Sequence, residues 1–216
     1  MITKTYSQEE IAEMKQIFCD ELRKINREGA LIEDLISKLC EGDFFTAPAS
    51  TKFHNCMDGG LVAHSLNVYN NLKDLVAMKG LQDVIPEDSI RICALLHDMS
   101  KMGYYEKTAR NKKVYHEEGS KFDNLGKFDW VSEEGYQVKS WNERFIYGSH
   151  EANSEFMVRC YIPLKVTESV AFLNHHGSIG NPNASREVSE IFHRYPLAAL
   201  LHIADMTATF VDEEAQ

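Results

Sequence analysis

Five histidines and two aspartates occupy positions that a helical chain would turn inward or bring to helix ends. In chain order these residues are His64, His97, Asp98, His150, His175, His176 and Asp205. Buried charge must be paired or bound to a metal, because its transfer out of water is costly. Imidazoles and carboxylates without a thiolate suit a six-coordinate first-row ion, such as iron or manganese, better than they suit structural zinc. The set therefore predicts a buried site for divalent metal ions.

The adjacent pair His97 and Asp98 ends an apolar run in the segment "ALLHDMSK". The two oxygens of one carboxylate can bridge two ions about 3.5–4 Å apart, as in hydrolytic two-metal sites, so Asp98 is the expected bridge. Lys101 lies one turn beyond His97 on the same helix face, where its ammonium could contact a phosphate oxygen. The alternative for Lys101 is a solvated lysine that the helix dipole favours.

Apolar residues recur at steps of three and four along most of the chain, which predicts a mainly α-helical fold. Ser7 followed by Glu10 is a capping-box pattern at the start of the first helix. Leu61, His64 and Val68 share one stripe, so His64 is expected on a buried helix face. Further helices are predicted at 31–40, Gly60 to about Met78, Pro86 to His97, 149–161, 167–176 and 196–211.

The stretch between Gly103 and Gly148 is polar and short of helical periodicity. Strand-like pieces at 112–118, 126–132 and 136–145 predict an insertion of one or two β-hairpins at about 104–147. It contains basic residues that could hold phosphates and aromatic residues that could stack a base. They are Lys107, Arg110, Lys112, Lys113, Tyr104, Tyr105, Trp130 and Trp141. Packing of the aromatic side chains onto the helices is the alternative interpretation.

The bulk composition is that of one globular domain of 216 residues, with short frayed ends expected before the first helix and after Phe210. The formal net charge of −10 argues against a long nucleic acid as partner, because such binding needs a basic groove, but it leaves room for a small anionic substrate. The five cysteines form no CxxC pair, so neither a disulfide framework nor a thiolate zinc site is indicated. No signal sequence or membrane span is recognised, which predicts a cytoplasmic protein.

Five segments in chain order resemble the successive motifs of the HD-domain metal-dependent phosphohydrolases. They read "HNCMDGGLVAHS", "ALLHDMSK", "GSHE", "NHHG" and "LHIADMTAT", and the resemblance spans about 54–209. It implies a single HD-domain helical bundle over 46–212 that contains the insertion, with N-terminal helices over 1–45 packing on the core. Ser100 stands where this family usually has a glycine before the lysine, and no GYP tripeptide follows His176.

Two branches come closest, the HD phosphodiesterases of cyclic dinucleotides and the HD domain of bacterial 3′-to-5′ exoribonucleases. The first branch implies two divalent transition-metal ions, iron or manganese before magnesium, nickel or zinc. By this resemblance the first ion is held by His64, His97, Asp98 and Asp205. The second ion is held by Asp98, His150, His175 and His176.

The resemblance implies a phosphodiesterase that hydrolyses a nucleotide or cyclic (di)nucleotide with a metal-activated hydroxide, and Asp98 and Lys101 are its candidate catalytic residues. The candidate substrate contacts are His54, Lys101, Tyr104, Lys107 and Arg110. Two alternatives remain open, a 3′-to-5′ exonuclease on single strands and a non-catalytic nucleotide-binding sensor. No sequence feature decides the oligomeric state.

Overall fold

The computed structural model describes residues 5–52, 54–178 and 182–213. Within these ranges the chain forms eight α-helices and a three-stranded antiparallel sheet. The helices are α1 Gln8–Arg23, α2 Ile32–Glu41, α3 Gly60–Met78, α4 Glu87–Leu96, α5 His150–Arg159, α6 Val166–Asn174, α7 Ser185–Arg194 and α8 Pro196–Thr207. The strands are β1 Tyr105–Tyr115, β2 Lys121–Asp123 and β3 Gly126–Val138. None of the helices in the described ranges is long and apolar enough to cross a bilayer.

Local sequence signals set most of the helix ends. Ser7 caps α1 in a complete capping box with Glu10, as the spacing predicts. The second helix ends at Gly42 and α3 has the predicted bounds. The sequence did not predict α7, whose ten residues contribute no fully buried side chain. The helix predicted over 196–211 instead passes from α8 into a π-helical turn, Ala208–Asp212.

The apolar core surrounds α3, which packs against α1, α4 and α8. Eleven of its residues are buried, because neighbouring elements cover it on several sides. Phe18 of α1 joins Phe44 and Phe45 in an aromatic cluster whose ring centroids lie 5.1–5.6 Å apart. Phe18, Cys19 and Leu22 of α1 and the buried residues of α2 belong to the same continuous core as apolar residues of α4, α6 and α8. This core holds α3 and α4 rigidly in place, and both carry residues of the predicted metal site.

The insertion forms one sheet with the strand order β1-β3-β2. Tyr105 pairs with Val138 at one end of the long β1–β3 ladder, and Tyr115 pairs with Phe128 at the other. The piece predicted as a strand at 136–145 is not a separate strand, since β3 ends at Val138 and a 3₁₀ turn covers Trp141–Glu143. The sequence also missed the first half of β1, whose polar residues lack the alternation of a half-buried strand.

A buried ion pair ties the N-terminal segment to the core. Arg27, just beyond α1, donates two hydrogen bonds of 2.6 and 2.7 Å to the carboxylate of Glu168 in α6. Ser89 Oγ of α4 and the backbone N–H of Lys165 donate to the same carboxylate. Burial opposes ionisation of Glu168, but the hydrogen bonds from Arg27 and Ser89 outweigh it and hold the Glu168 pKa below its ordinary value.

Replacing Arg27 by alanine should strongly destabilise the fold. Arg27→Ala leaves the buried Glu168 carboxylate without its countercharge, and we expect a loss of about 3–5 kcal/mol in the free energy of unfolding. The double variant Arg27→Met with Glu168→Met should recover most of the loss, because no uncompensated charge remains. Urea unfolding measures both values. Equal stability of Arg27→Ala and the parent protein would contradict this role for the pair.

The Glu168 carboxylate should also give the fold a defined pH dependence. Its folded-state pKa is lowered, so its contribution to stability is present above the unfolded pKa and is lost as pH falls through the folded pKa. We expect the stability difference between the parent and Glu168→Gln to be largest near neutral pH and to shrink below about pH 4. Urea unfolding of both proteins over this pH range tests the sign, and a difference that grows in acid would contradict it.

Candidate metal centre

Helix ends and buried helix faces bring the seven predicted ligands to one place in the bundle. His64 lies on the buried face of α3, and Asp205 lies on that of α8. His97 caps the C-terminus of α4, and Asp98 follows it at the start of a 3₁₀ turn, Met99–Lys101. The first residue of α5 is His150. The pair His175 and His176 follows the last turn of α6.

One half of the cluster surrounds Oδ2 of Asp98. His64 Nε2 lies 3.6 Å from this oxygen and His97 Nε2 lies 3.4 Å from it. The Oδ1 atom of Asp205 is 3.1 Å from His64 Nε2 and 4.0 Å from His97 Nε2. The two Nε2 atoms are themselves 3.3 Å apart. Four potential ligand atoms therefore converge on one small volume.

The other half surrounds Oδ1 of the same carboxylate. His150 Nε2 contacts this oxygen directly, and His175 Nε2 lies 3.8 Å from it. Ligand atoms of Asp98, His150, His175 and His176 all lie within 4.8 Å of one another. His176 Nε2 is also 3.9 Å from Oδ2 of Asp205. Each Asp98 oxygen thus faces its own group of imidazoles.

All five histidine rings direct the same nitrogen, Nε2, toward the aspartates. Each Nδ1 atom contacts a protein oxygen, at 2.7–3.1 Å, and each Nε2 atom faces the carboxylates. The Nδ1 partners are Glu213 for His64, the Ala94 carbonyl for His97, Ser100 Oγ for His150, the Phe172 carbonyl for His175 and Glu151 for His176. Carbonyl and carboxylate oxygens only accept, so Nδ1 carries the proton in four of the rings. In the neutral rings the Nε2 lone pair is then directed at the two aspartates.

The donor set fits divalent cations. His175 Nε2 is buried and has no hydrogen-bond partner among the described residues, although carboxylate oxygens stand close to it. A lone pair facing a carboxylate is repulsive unless a proton or a cation lies between them. Imidazole and carboxylate donors together suit first-row divalent ions, and protein acceptors on the outer ring nitrogens are usual for metal-binding histidines.

The pKa values of His64 and His175 are shifted in opposite directions. Burial disfavours the charged form of His64, but the carboxylates of Asp205 and Glu213 outweigh it and raise the His64 pKa to about 10. For His175, burial and repulsion from His176 both lower the pKa, to about 3. The carboxylates therefore favour positive charge at His64, which a proton or a bound cation can supply, whereas the His175 ring is neutral near pH 7.

Both aspartates are ionised despite being buried. Burial opposes the charge on Asp98, but Lys101 and His97 outweigh it and hold the Asp98 pKa well below its ordinary value. Burial likewise opposes the charge on Asp205, and the hydrogen bond from His64 lowers its pKa. Two fixed negative charges therefore stand at the centre of the cluster.

Solvent reaches the cluster from one side. The side chains of His64, His97, Asp98 and His175 are almost fully buried. Those of His150 and His176 are 24% and 38% exposed. A ligand would therefore enter on the side formed by the start of α5 and the end of α6.

The predicted substrate contacts divide into two groups. His54 and Lys101 lie at the cluster: the His54 ring centroid is 4.9 Å from that of His64, and Lys101 Nζ is 2.6 Å from Asp98 Oδ2. Lys101 is mostly buried, so it is not the solvated lysine of the alternative interpretation. Burial, then repulsion from His64 and Lys101, lower the His54 pKa to about 4, and its ring nitrogens have no hydrogen-bond partner in the described chain.

Lys107 and Arg110, two further predicted substrate contacts, lie along β1 and bind protein groups outside the cluster. Lys107 Nζ is 3.0 Å from Asp58 and 2.8 Å from Glu134. Arg110 donates to the backbone carbonyl of Thr51 at 2.6 Å. None of these partners belongs to the cluster. Tyr104 directly precedes β1, and its hydroxyl accepts a hydrogen bond of 2.8 Å from Arg144 Nη1.

Sequence reasoning missed three residues that orient the ligands. Glu213 is buried against His64, so the prediction that the chain frays after Phe210 is wrong for this residue. No local pattern marks Glu213, because the π-helical turn returns it to α3. Glu151 directly follows His150 in the sequence, and that adjacency was an available signal. Ser100, noted only as a departure from a motif, accepts from or donates to His150 Nδ1 at 2.8 Å.

No family model, curated protein or solved structure matches this chain.

Removing the Glu213 carboxylate should weaken metal binding without removing a ligand. Glu213→Ala deprives His64 Nδ1 of its acceptor, and we expect the affinity for Mn²⁺ to fall by about 10–100-fold. Asp212→Ala is the matched control, since Asp212 is the exposed neighbour and contacts Asn71 rather than a histidine. Competitive titration with a fluorescent chelator measures the Mn²⁺ affinity of both variants. Equal Mn²⁺ affinities of the two variants would contradict the orienting role.

Proposed function

We propose that this protein is a divalent-metal-dependent phosphohydrolase that cleaves a phosphate ester bond of a nucleotide or cyclic nucleotide. The observation that carries the proposal is the common orientation of five imidazoles around two buried carboxylates. The motif resemblance described above points to the same class of reaction. A dinuclear site would use both oxygens of Asp98, as the arrangement of the two histidine groups suggests.

The residues divide naturally between two cations. His64, His97, Asp98 and Asp205 would hold one, since an oxygen of each aspartate lies 3.1–4.0 Å from the Nε2 atoms of His64 and His97. Asp98, His150, His175 and His176 would hold the other. Bound divalent ions would supply Lewis acidity for the activation of water and the neutralisation of phosphoryl charge. The outer partners of the histidines fix the rings, so the donors need little rearrangement when they bind.

Two further side chains have places in the reaction. Burial opposes the Lys101 charge, but Asp98 outweighs it and raises the Lys101 pKa above its ordinary value, so the ammonium persists at neutral pH. Lys101 would hold a non-bridging phosphate oxygen while charge develops on it. His54 is neutral near pH 7 and would bind the substrate through a ring nitrogen.

Replacing the central carboxylate should remove metal and activity together. We expect Asp98→Asn to lower the bound metal per chain at least about ten-fold and phosphodiester hydrolysis at least about 10³-fold, since it changes the ligand shared by both groups. Asp74→Ala, an exposed acid on α3, is the matched control. Elemental analysis and hydrolysis of a chromogenic phosphodiester with added Mn²⁺ give the two readings.

Four outcomes would count against the proposal, two from that experiment and two from assays with nucleotides and labelled oligonucleotides. Fewer than one transition ion per parent chain, after purification without chelator, would argue against a metal centre. Unchanged turnover in Asp98→Asn would remove the mechanism. Tight nucleotide binding without turnover in any metal would favour the sensor alternative, and shortening of labelled oligonucleotides would favour the exonuclease.

A substitution of Lys101 should lower catalysis without lowering metal binding. We expect Lys101→Met to lower kcat about 10²-fold, because a positive group facing the developing charge is lost, while the metal content stays that of the parent. Lys79→Met, which changes an exposed lysine after α3, should leave both values unchanged. A parallel loss of metal and kcat in Lys101→Met would instead make Lys101 a structural partner of Asp98.

A further inference from the structure

The segment between β3 and α5 presents large aromatic side chains to solvent. Trp141 is 68% exposed, Tyr147 is 64% exposed and Phe145 is 49% exposed. Phe145 and Tyr147 both stack on Phe156 of α5, with interplanar angles of 21° and 23°. These contacts support the segment and leave most of the Trp141 side chain exposed. An exposed tryptophan on a supported segment is a surface on which a planar ligand can stack.

Arg144 joins this tryptophan to the other root of the insertion. Its Cζ atom lies 4.9 Å from the ring centroid of Tyr104 and 5.6 Å from that of Trp141. Its Nη1 atom donates to Tyr104 Oη at 2.8 Å. The Nε atom is buried without a hydrogen-bond partner in the described chain. Tyr104, Arg144 and Trp141 form a cationic aromatic group, which we call the aromatic shelf.

The aromatic shelf is built from the two roots of the insertion, and each root leads to a residue of the cluster. Tyr104 N–H donates to the Lys101 carbonyl at 3.2 Å, and Lys101 Nζ contacts Asp98. Tyr104 is the third residue after Lys101, so their Cα atoms are at most about 11 Å apart. At the other root, Asn153 of α5 accepts from the N–H groups of Tyr147 and Gly148, just before His150. Tyr104 thus follows Lys101 closely, and the segment that carries Trp141 and Arg144 is fixed to α5 beside His150.

The other aromatic residues of the insertion that could stack a base, Tyr105 and Trp130, already contact groups of the protein. Tyr105 is largely buried, and its hydroxyl donates to the Ala49 carbonyl at 3.5 Å. Trp130 packs edge-on against Phe128 at 5.7 Å, with Lys113 Nζ 5.6 Å from the Trp130 ring. Trp130 lies far along β3, opposite Lys113 of β1, and is remote in register from the roots at Tyr105 and Val138.

We infer that the aromatic shelf is a nucleobase-binding subsite, in which the base stacks on Trp141 while the phosphate lies at the metal cluster. The inference rests on the proposed function for the position of the phosphate. Stacking on an aromatic ring accepts any base, because every base has a π-face, and Arg144 adds a cation beside it. The substrate class is therefore a nucleotide ester, and base identity is weakly selected.

Tryptophan fluorescence tests the subsite without any turnover. The chain has two tryptophans, so Trp130→Phe leaves Trp141 as the only emitter. We expect adenosine 5′-monophosphate to quench this variant saturably and ribose 5-phosphate to leave it unchanged. The reciprocal variant, Trp141→Phe, keeps Trp130 and should show no saturable quenching. Equal responses to the two phosphates, or quenching only in Trp141→Phe, would overturn the subsite.

Matched esters test the subsite during catalysis. The p-nitrophenyl ester of thymidine 5′-phosphate and methyl p-nitrophenyl phosphate share a leaving group and differ in the nucleoside. We expect Trp141→Ala to lower kcat/KM about ten-fold for the nucleoside ester and to leave the methyl ester unchanged. Equal losses on both esters would overturn the subsite. If the parent protein hydrolyses neither ester, the proposed function fails, and the fluorescence titration alone decides whether the base binds.

Discussion

The buried carboxylate of Asp98 is the constraint on which the arrangement of the helices depends. A charge in the interior must meet opposite charge or a cation from several directions. Lys101 and His97 meet it from its own segment, His64 from α3, and His150 from α5. Each of these contacts fixes one helix end or face relative to the end of α4. The polar centre therefore defines how the helices meet, although it does not supply their stability.

Stability comes from the apolar elements around the centre. A cluster of buried polar groups costs free energy in its own right, so the surrounding core must be large and well packed. The aromatic group of Phe18, Phe44 and Phe45 lies on the side of α3 that α1 covers. The Arg27–Glu168 pair adds a directional contact between the N-terminal segment and α6. The N-terminal helices thus support the cluster from a distance, through α3.

The burial of the cluster residues could be predicted from the sequence wherever those residues follow the helical periodicity of apolar residues. His64 shares a stripe with Leu61 and Val68, so its burial follows from a period of 3.6 residues, and His97 ends an apolar run. Glu213 could not be predicted, because its contact with His64 depends on a π-helical turn and spans 149 residues. The pairing of Lys107 with Asp58 and Glu134 was also hidden, since it depends on cross-strand register and on docking of the sheet. Periodicity specifies which face is buried, whereas register and long-range polar partners come only with the assembled fold.

Contacts between the sheet and the loop before α3 fix the insertion next to the cluster. Tyr136 of β3 and Lys107 of β1 both contact Asp58, in the loop that leads into α3. Arg110 contacts the backbone of Thr51 in the same loop, and His54 lies between these two anchors in the chain. The sheet is thus fixed to the segment before His64, while its roots are fixed to Lys101 and to α5. A long excursion in sequence is in this way held rigidly against the segments that carry the cluster.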